Sequence, residues 1–229
     1  MCWLWIALAT AGAASAEVSG HIALLSDYRY RGESLSDNRP ALQAGLDYQH
    51  SSGVFVGGLA SSVRVDPAVS GLGGQLYGGY AHAVDERLSW ELGAITYLFP
   101  RPSTEPGYQY TEGFVGGSYE NFTARAYYSD SYFGAGGRAA YLEMNASRPV
   151  TARIVAFVHL GYLGHHESRP PSYPRQDHSL FDARGGLEIE LSGFTVELSV
   201  VGTTAQTNAC PAGTGHCSTT ALIAVSRSF

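Results

Sequence analysis

Apolar and polar residues alternate along much of the chain, and no long stretch beyond the N-terminal segment shows the period of a helix. Such alternation puts successive side chains on opposite faces of an extended strand. In the clearest example, between Leu180 and Leu191, Phe181 and Leu187 share one face and Arg184 lies on the other. The same test predicts about twelve strands, near residues 18–31, 40–50, 53–65, 74–83, 87–99, 108–119, 122–130, 138–148, 152–164, 179–191, 194–204 and 218–229.

Short and long connections alternate between these strands. Short turns are predicted near residues 50–53, 84–86, 120–121, 149–151 and 192–193, and longer connections near 33–39, 66–73, 100–107, 131–137, 164–178 and 205–217. Bacterial outer-membrane barrels have short periplasmic turns and long external loops. The sequence therefore predicts an all-β protein, a transmembrane antiparallel up-and-down β-barrel of about twelve strands with both termini in the periplasm.

Composition fits this fold and excludes other classes. Charged residues make up 15% of the chain, below the roughly 25% of ordinary soluble domains. The mean hydropathy of -0.06 does not indicate a helical membrane protein, but it suits a barrel with an apolar outer face and a polar inner face. The net charge of -6 lacks the basic footprint of a nucleic-acid-binding protein, so no nucleic-acid partner is expected.

The first residues have the pattern of an export signal. An apolar run from Trp3 to Ala14 is too short to span a bilayer as a helix. It ends in Ala14-Ser15-Ala16, a small-x-small pattern typical of cleavage before Glu17. We therefore expect a signal peptide over residues 1–16 and a barrel over residues 17–229.

Two cysteines, Cys210 and Cys217, bracket a stretch of turn-forming residues in the last long connection. In an exported protein this arrangement favours a disulfide. Closing so small a loop stabilises the fold by about 2.5 kcal/mol in the chain-entropy model. The predicted disulfide would therefore constrain a loop rather than hold the barrel together.

The cost of burying charge in lipid predicts which face of each strand points inward. An arginine that faces lipid in the middle of the membrane costs about 2–4 kcal/mol. We therefore expect Arg64, Arg125 and Arg184 to face the lumen. Their neighbours would then face lipid, namely Phe55, Leu59 and Val63 in one strand and Phe122, Ala124, Ala126 and Tyr128 in another.

Aromatic residues gather near the predicted strand ends, as in the two interfacial girdles of outer-membrane barrels. They are Tyr28, Tyr30, Tyr48, Trp90, Phe99, Tyr108, Tyr110, Tyr119, Phe122, Tyr162, Phe181, Phe194 and Phe229. The last predicted strand is apolar at alternate positions and stops on Phe229, although Arg227 departs from the usual apolar residue. Barrel-assembly machinery reads such a terminal strand, so we expect Phe229 to be an assembly signal.

Charged residues on the predicted inner face are the best functional candidates, together with one histidine. The predicted lumen-lining set is Asp27, Arg29, Arg31, Asp47, Arg64, Glu91, Arg125, Glu143, His159, Asp182, Arg184, Glu188, Glu190 and Glu197. Two interpretations remain open: a salt-bridged network that fills the interior, or a narrow path whose charge selects solutes. In the second, the acidic excess predicts a mild preference for cations.

One stretch near the N-terminus resembles a known family. Residues 26–32 read Ser-Asp-Tyr-Arg-Tyr-Arg-Gly, and Ser34, Ser36-Asp37 and Pro40-Ala41-Leu42-Gln43 follow. With Leu46-Asp47-Tyr48 and the closing Ser226-Arg227-Ser228-Phe229, this pattern is similar to that of the TorF-type porins. The middle of the chain shares only their rhythm of strands and glycines. The resemblance implies a pore in the outer membrane of a Gram-negative bacterium.

Three functions from different classes remain open. The first is a channel for passive diffusion of small hydrophilic solutes, and the second is a closed barrel that acts through its external loops. The third is an outer-membrane lipid-modifying enzyme, which would need Ser and His on the outer wall. No Ser-His-acid set can be placed on one wall, so no enzyme activity and no catalytic residue are predicted.

No cofactor or metal is predicted either. No glycine pair precedes the Lys-Ser/Thr of a phosphate loop. His165, His166, Glu167 and His178 are interpreted as solvated loop residues. The expected partners are outer-membrane lipids, the barrel-assembly machinery through the C-terminal strand, and small hydrophilic solutes.

Overall fold

The computed structural model describes residues 16–66, 69–99, 109–133, 137–166, 177–204 and 217–229. Twelve antiparallel strands form one closed barrel, and two further strands of two residues each form a separate small hairpin. The predicted fold class is therefore confirmed. The strands are β1 (Glu17–Leu25), β2 (Arg29–Tyr30), β3 (Glu33–Ser34), β4 (Ala41–Gln49), β5 (Val54–Asp66), β6 (Val69–Ala83), β7 (Leu88–Leu98), β8 (Tyr110–Tyr119), β9 (Phe122–Tyr132), β10 (Gly137–Thr151), β11 (Ile154–His166), β12 (Asp177–Leu191), β13 (Phe194–Thr203) and β14 (Thr220–Ser228).

Each barrel strand pairs with its neighbours in sequence, except that β1 pairs with both β4 and β14. The turns at 50–53, 84–87, 120–121, 152–153 and 192–193 lie at one end, here called the short-turn end. The opposite end, here called the long-loop end, carries the connection 26–40 between β1 and β4. The described part of the chain contains no helix long and apolar enough to cross a membrane. The predicted signal peptide lies almost wholly outside the described residues.

Three predicted boundaries were wrong. The turn predicted at 149–151 lies at 152–153, because β10 continues to Thr151. The strand predicted at 18–31 ends at Leu25, because the residues that follow fold into the barrel. The long connection predicted at 66–73 is two residues long, since β6 already begins at Val69. Glycine and serine at 70–74 are turn signals in a sequence. Here they pair with β5 instead, with Ser70 opposite Arg64 and Gly73 opposite Ser61.

The outer wall is apolar. Val18, Leu42, Leu72 and Phe122 are each more than 60% exposed, as expected of side chains that face lipid. Predicted girdle residues that do point outward are Tyr48, Trp90, Tyr119, Phe122, Phe194 and Phe229 at the short-turn end, and Tyr162 and Phe181 at the long-loop end. Arg227 also points outward, with its guanidinium 5.3 Å from the centre of the Phe194 ring.

Four predicted girdle residues lie inside the barrel instead. Tyr28, Tyr30, Phe99 and Tyr110 are all buried, and Tyr108 lies outside the described residues. These rings join an inner aromatic cluster around the small hairpin. Aromatic residues near strand ends therefore face either lipid or this interior cluster. The alternation of apolar and polar residues alone does not distinguish these two environments.

The face prediction for β5 was inverted. Phe55, Leu59 and Val63 point inward and are buried, whereas Arg64 shares the outward face with Val54. Arg64 lies two residues from the strand end, where the cost of an arginine on the lipid face falls to about 0–1 kcal/mol. Inward apolar side chains are favourable here because Phe55 and Val63 belong to the same interior cluster as Tyr30 of the small hairpin.

The barrel closes where Phe229 meets Gly20. The Gly20 amide donates to the Phe229 carbonyl at 2.8 Å, and the Phe229 amide donates to the Gly20 carbonyl at 2.9 Å. The Phe229 ring covers Gly20 so closely that an added Cβ would lie 2.7 Å from the ring edge. The absence of a side chain at Gly20 therefore lets this ring pack against the first strand.

We expect Gly20→Val to destabilise the closed barrel. The added side chain must push the Phe229 ring away, and overpacking of this kind costs about 1–3 kcal/mol. Urea unfolding of the refolded protein in detergent would measure the loss. Gly113→Val is the matched control, since nothing lies within 4 Å of a Cβ at Gly113. Equal stability of the two variants would contradict the proposed role of this contact.

Candidate functional site

The most unusual feature of the barrel is residues 26–40, here called the lumen hairpin, which fold inward from the long-loop end. Every residue from Asp27 to Ser36 is buried, and Ser34 and Leu35 are fully inaccessible. The hairpin contains β2 and β3, which pair through Arg29 with Ser34 and Tyr30 with Glu33. A polar loop that would otherwise cover the barrel mouth therefore occupies its interior.

The sequence of the lumen hairpin makes this compact shape. Arg31 and Gly32 form a two-residue turn with positive φ at both positions, 50° and 81°. This is the geometry of a type I′ turn, which suits a tight hairpin and favours glycine. The turn also brings the two arms together so that the Leu35 amide donates to the Tyr28 carbonyl at 2.7 Å.

Asp27 organises the polar side of the hairpin. Its carboxylate accepts hydrogen bonds from the hydroxyls of Ser34 at 2.5 Å and Ser36 at 2.9 Å. The same carboxylate forms an ion pair with Arg29 at 2.5 Å. Arg29 in turn donates to the Gly32 carbonyl at 3.0 Å and the Asn38 side-chain oxygen at 2.6 Å. These charge-assisted hydrogen bonds preorganise the hairpin before it contacts the wall.

Arg31, at the tip of the hairpin, is its main anchor. Its two terminal nitrogens donate to the two carboxylate oxygens of Glu112 on β8, at 2.9 and 2.6 Å. Its guanidinium lies 4.1 Å from the centre of the Tyr141 ring and 4.8 Å from that of Tyr30. Burial opposes the charge, but Glu112 and the nearby tyrosines raise the pKa of Arg31 well above its ordinary value. This buried, bidentate pair with stacked aromatic rings is a strong and specific attachment.

Contacts on one side of the lumen hold the body of the hairpin. The Arg64 amide of β5 donates to the Leu35 carbonyl at 2.7 Å. Gln75 of β6 donates to the Tyr28 hydroxyl at 3.3 Å. The hydroxyls of Tyr30 and Tyr110 lie 2.9 Å apart, which adds a contact with β8.

The tip of the hairpin reaches the opposite wall. A Cβ added to Gly32 would lie 2.9 Å from the Cβ of Thr203 on β13 and 3.0 Å from that of Asp182 on β12. Arg29 also donates to the carbonyl of Ser218, just before β14, at 3.3 Å. The lumen hairpin therefore crosses the lumen from wall to wall in the half next to the long-loop end.

The other half of the lumen is polar and more accessible. Asp47, Arg125, Glu188 and Glu197 point inward and are half-buried, and they define a region here called the vestibule. Arg125 forms ion pairs with Glu91 and, at 3.8 Å, with Glu143. Arg184 forms an ion pair with Glu197, and Asp47 accepts a hydrogen bond from the Tyr77 hydroxyl. Glu188 lies directly opposite Glu197, so carboxylates are in excess at this level.

The structure places the predicted lumen residues in five groups. Asp27, Arg29 and Arg31 are buried, but in the hairpin rather than in a membrane strand. Buried residues of the inner wall are Glu91, Glu143, His159, Asp182 and Arg184. Asp47, Arg125, Glu188 and Glu197 line the vestibule, and Glu190 is exposed near the short-turn end. Arg64 lies on the outer face, as described above.

Sequence reasoning missed two buried acids. Glu112 is 1% exposed and anchors the hairpin. It was not among the predicted lumen residues, because tyrosine and glycine occur on both faces of its strand. The cost of facing lipid, which predicted that arginines point inward, would also have placed Glu112 in the lumen, because a carboxylate in the middle of a strand avoids lipid as well. Glu33 on β3 was assigned to an external connection, and nothing in strand alternation indicates that a connection folds inward.

Two other predictions fall largely outside the described residues. Cys217 is buried just before β14, but Cys210 is not among the described residues, so the disulfide stays a prediction. Glu167 is not described either. Among the described residues no group of three or more His, Cys, Asp or Glu side chains could hold a metal ion.

A closed antiparallel barrel with an apolar outer wall and a charged lumen is the architecture of outer-membrane porins and related barrels. The chain belongs to the family described as "Bacterial protein of unknown function (Gcw_chp)", whose sequence model matches residues 9–229. The TorF-type resemblance is not confirmed by this match and stays a prediction. No curated protein sequence matches the chain.

Solved structures of porins share the fold. The KdgM porin superposes with a TM-score of 0.52 at 9% identity, covering 94% of this chain and 99% of the porin. The KdgM porin in complex with disordered oligogalacturonate gives a TM-score of 0.51 at 10% identity, covering 94% and 99%. The NanC porin gives 0.54 at 8% identity, covering 92% and 98%. At such low identity the likeness establishes the fold alone.

Proposed function

We propose that the protein is a porin-like channel of the Gram-negative outer membrane for passive diffusion of small hydrophilic solutes, with the lumen hairpin as its gate. The short-turn end would face the periplasm, as in other barrels with this asymmetry of connections. The observation that carries the proposal is the half-buried, charged vestibule that ends against the hairpin. A hydrophilic space of this kind suits a solute path. Among the described residues, only the lumen hairpin crosses the lumen, in the half beyond this space.

The attachment of the hairpin is consistent with a movable gate. Its described side-chain contacts with the wall are hydrogen bonds, one buried ion pair and aromatic packing, and its two ends adjoin at the barrel rim. Leu25 and Ala41 are direct partners in the ladder between β1 and β4. The hairpin can therefore leave the lumen by rotating about this rim without breaking any strand pairing of the barrel.

The two open interpretations of the lumen charges both have support. Arg125 and Arg184 form ion pairs, as expected of a salt-bridged network. Asp47 and Glu188 are half-buried, and neither forms an ion pair within 4 Å with an arginine of the described residues, as expected of a path that selects by charge. We therefore propose that the network shapes the wall and the remaining carboxylates set the selectivity.

The sign of this charge favours cationic and neutral solutes. Asp47, Glu188 and Glu197 face the vestibule together with two arginines that are already ion-paired. One structural neighbour is described in complex with oligogalacturonate, which is a polyanion. A lumen with an excess of carboxylates would repel a polyanion. We propose that this protein differs from that porin in its solutes although the two share a fold.

Ion selectivity in planar lipid bilayers tests the proposal. We expect the refolded protein to conduct with a mild preference for potassium over chloride, read from the reversal potential in a salt gradient. Glu188→Gln should lower the permeability ratio about twofold, since one fixed carboxylate is lost from a narrow lumen. Glu120→Gln is the matched control, because Glu120 lies in a turn outside the lumen.

Other results would redirect the interpretation. A clear anion preference would contradict the assignment of selectivity to the vestibule carboxylates. Absence of conductance both in the native protein and after removal of the hairpin would favour the closed barrel that acts through its external loops.

A further inference from the structure

The tip of the lumen hairpin lies in a pocket of the inner wall that has the composition of a cation-binding site. Arg31 fills this pocket, and its two terminal nitrogens donate to the two oxygens of Glu112 at 2.9 and 2.6 Å. Its guanidinium carbon lies 4.1, 5.5 and 5.6 Å from the ring centres of Tyr141, Tyr132 and Tyr127. We call Glu112 and these three tyrosines the guanidinium cage. The cage combines a bidentate ion pair with the attraction of a cation to aromatic rings within about 6 Å.

The guanidinium cage belongs to the barrel wall and not to the hairpin. Glu112 lies on β8, Tyr127 and Tyr132 lie on β9, and Tyr141 lies on β10. The Tyr97 hydroxyl of β7 donates to Glu112 at 3.2 Å, and the rings of Tyr127 and Tyr141 lie 6.0 Å apart. These strands pair with one another along the barrel. The wall therefore holds the cage together when the hairpin moves away.

The wall recognises only the outer end of the Arg31 side chain. The two hydrogen bonds to Glu112 come from the terminal nitrogens, and the buried Nε of Arg31 has no hydrogen-bond partner among the described residues. A buried donor without a partner weakens the state that buries it. A free solute with a monosubstituted guanidinium offers the same two terminal nitrogens and the same planar face. Because such a solute brings no hairpin to cover the site, its remaining N–H stays in water, and it can compete with Arg31.

The guanidinium cage lies directly beyond the vestibule. Tyr127 is two residues from Arg125 on the same face of β9, and its hydroxyl donates to Glu143 at 3.0 Å. The Oε2 atom of Glu143 is buried and has no hydrogen-bond partner in the described part of the chain. Arg125 is shared between Glu91 and Glu143, so carboxylates outnumber arginines in this part of the wall as well. A cationic solute in the vestibule is therefore attracted toward the cage.

We propose that Arg31 is a built-in ligand of the guanidinium cage, and that solutes with a monosubstituted guanidinium open the channel by displacing it. This inference rests on the proposed gating function and names a class of solute that the gate admits. The solute binds the open state, in which the cage is vacant. The closed state excludes the solute, because Arg31 fills the same space. A ligand that binds only one of two states shifts the equilibrium toward that state.

N-Ethylguanidinium chloride, which reproduces the end of an arginine side chain, tests the displacement in the native protein. The open fraction rises by the factor 1 + [L]/Kd, so the hydrogen exchange of amides 28–36 should accelerate linearly with the probe concentration. The slope gives Kd, and we expect an acceleration of about tenfold at ten times Kd. N-Ethylurea, the neutral isostere, and ethylammonium chloride, which has the charge without the planar fork, should leave the exchange unchanged at equal concentration. Unchanged exchange of the barrel strands excludes general denaturation.

Arg31→Ala should reverse the sign of this effect. The variant vacates the guanidinium cage and leaves Glu112 without its counter-charge, so amides 28–36 exchange faster than in the native protein. Ethylguanidinium supplies the missing part of the side chain, and in the closed state it also contacts the Tyr30 ring of the hairpin, as Arg31 does at 4.8 Å. It should therefore slow the exchange of this variant, by about tenfold at ten times its Kd for the closed state.

Arg87→Ala is the matched control, since Arg87 forms an exposed ion pair with Glu120 far from the cage. This control should respond to ethylguanidinium as the native protein does, with faster exchange. A slower exchange in Arg87→Ala would contradict the assignment of the reversal to the vacated cage.

Conductance in planar bilayers separates the binding site from the channel. The probe should raise the open probability of the native protein together with the exchange rate. Probe-dependent exchange in a protein without conductance at any probe concentration would support the site and refute the channel. Slower exchange in Arg31→Ala without faster exchange in the native protein would overturn the proposal, because the cage would then serve only as an anchor. Equal acceleration by ethylurea or ethylammonium would overturn it as well, since the response would not depend on guanidinium recognition.

Discussion

Replacing residues 26–40 by a four-residue glycine-serine turn should raise the single-channel conductance on the order of fivefold or more, since no other described segment crosses the lumen of this twelve-strand barrel. The hairpin crosses the lumen from β5 and β6 to β12 and β13 in the native protein. Its removal is compatible with the barrel because Leu25 and Ala41 already pair directly. Strands with paired ends can be joined by two to five residues.

The measurement is conductance in planar bilayers, combined with a gel assay of heat-modifiable mobility to establish that the barrel is folded. Arg39→Gln is the matched control, because it removes only the exposed ion pair with Asp37, 3.3 Å long, at the outer end of the hairpin. This control should conduct like the native protein. A folded barrel whose conductance is unchanged by the replacement would mean that the hairpin is not the barrier.

The barrel itself could be predicted because its signal is local and repeated. In β12 apolar or small residues of one face alternate with the charged residues of the other from Phe181 to Glu190, and only Gly186 interrupts the charged face. The alternation within each strand of this kind identifies its two faces. The short turn at every second connection indicates the up-and-down topology of the barrel. No knowledge of distant contacts is needed for either inference.

The lumen hairpin could not be predicted by the same means. Tyr28 and Tyr30 alternate with Asp27, Arg29 and Arg31 as residues of a membrane strand would, so the pattern resumes directly after Leu25 and Ser26. The alternation has a different origin, because the hairpin is buried on both sides inside the barrel. Its partners, such as Glu112 and Tyr141, are distant in sequence, and pairing between distant residues leaves no local period.

The first part of the sequence pattern on which the predicted TorF-type resemblance rests lies in the lumen hairpin. The residues from Ser26 to Gly32, with Ser34 and Ser36, supply the turn, the Asp27 network and the Arg31 anchor. Glycine permits the positive φ at the tip, and the two serines are the donors that Asp27 requires. The motif was therefore recognisable before its structural role was, since the role depends on the surrounding wall.

Arg31→Met should release the lumen hairpin by leaving Glu112 as an uncompensated buried charge. Breaking a buried ion pair by removing one partner costs about 3–5 kcal/mol, which corresponds to at least a hundredfold in an equilibrium constant. In the proposed gating motion the hairpin leaves the lumen, and water then reaches Glu112. We therefore expect the hydrogen exchange of amides 28–36 to become about a hundredfold faster. The exchange of the barrel strands should change little.

The double variant Arg31→Met/Glu112→Leu should recover most of this protection, because replacing both members of a buried pair by apolar residues is often neutral. The tyrosine rings that surround Arg31 offer an apolar site for the methionine. Arg87→Met provides the matched control, since the Arg87–Glu120 pair is exposed and such pairs contribute at most about 1 kcal/mol. If the single variant exchanged no faster than the double variant, the uncompensated charge of Glu112 would not be the cause of release. The hairpin would then be held by its packing and by the Asp27 network instead.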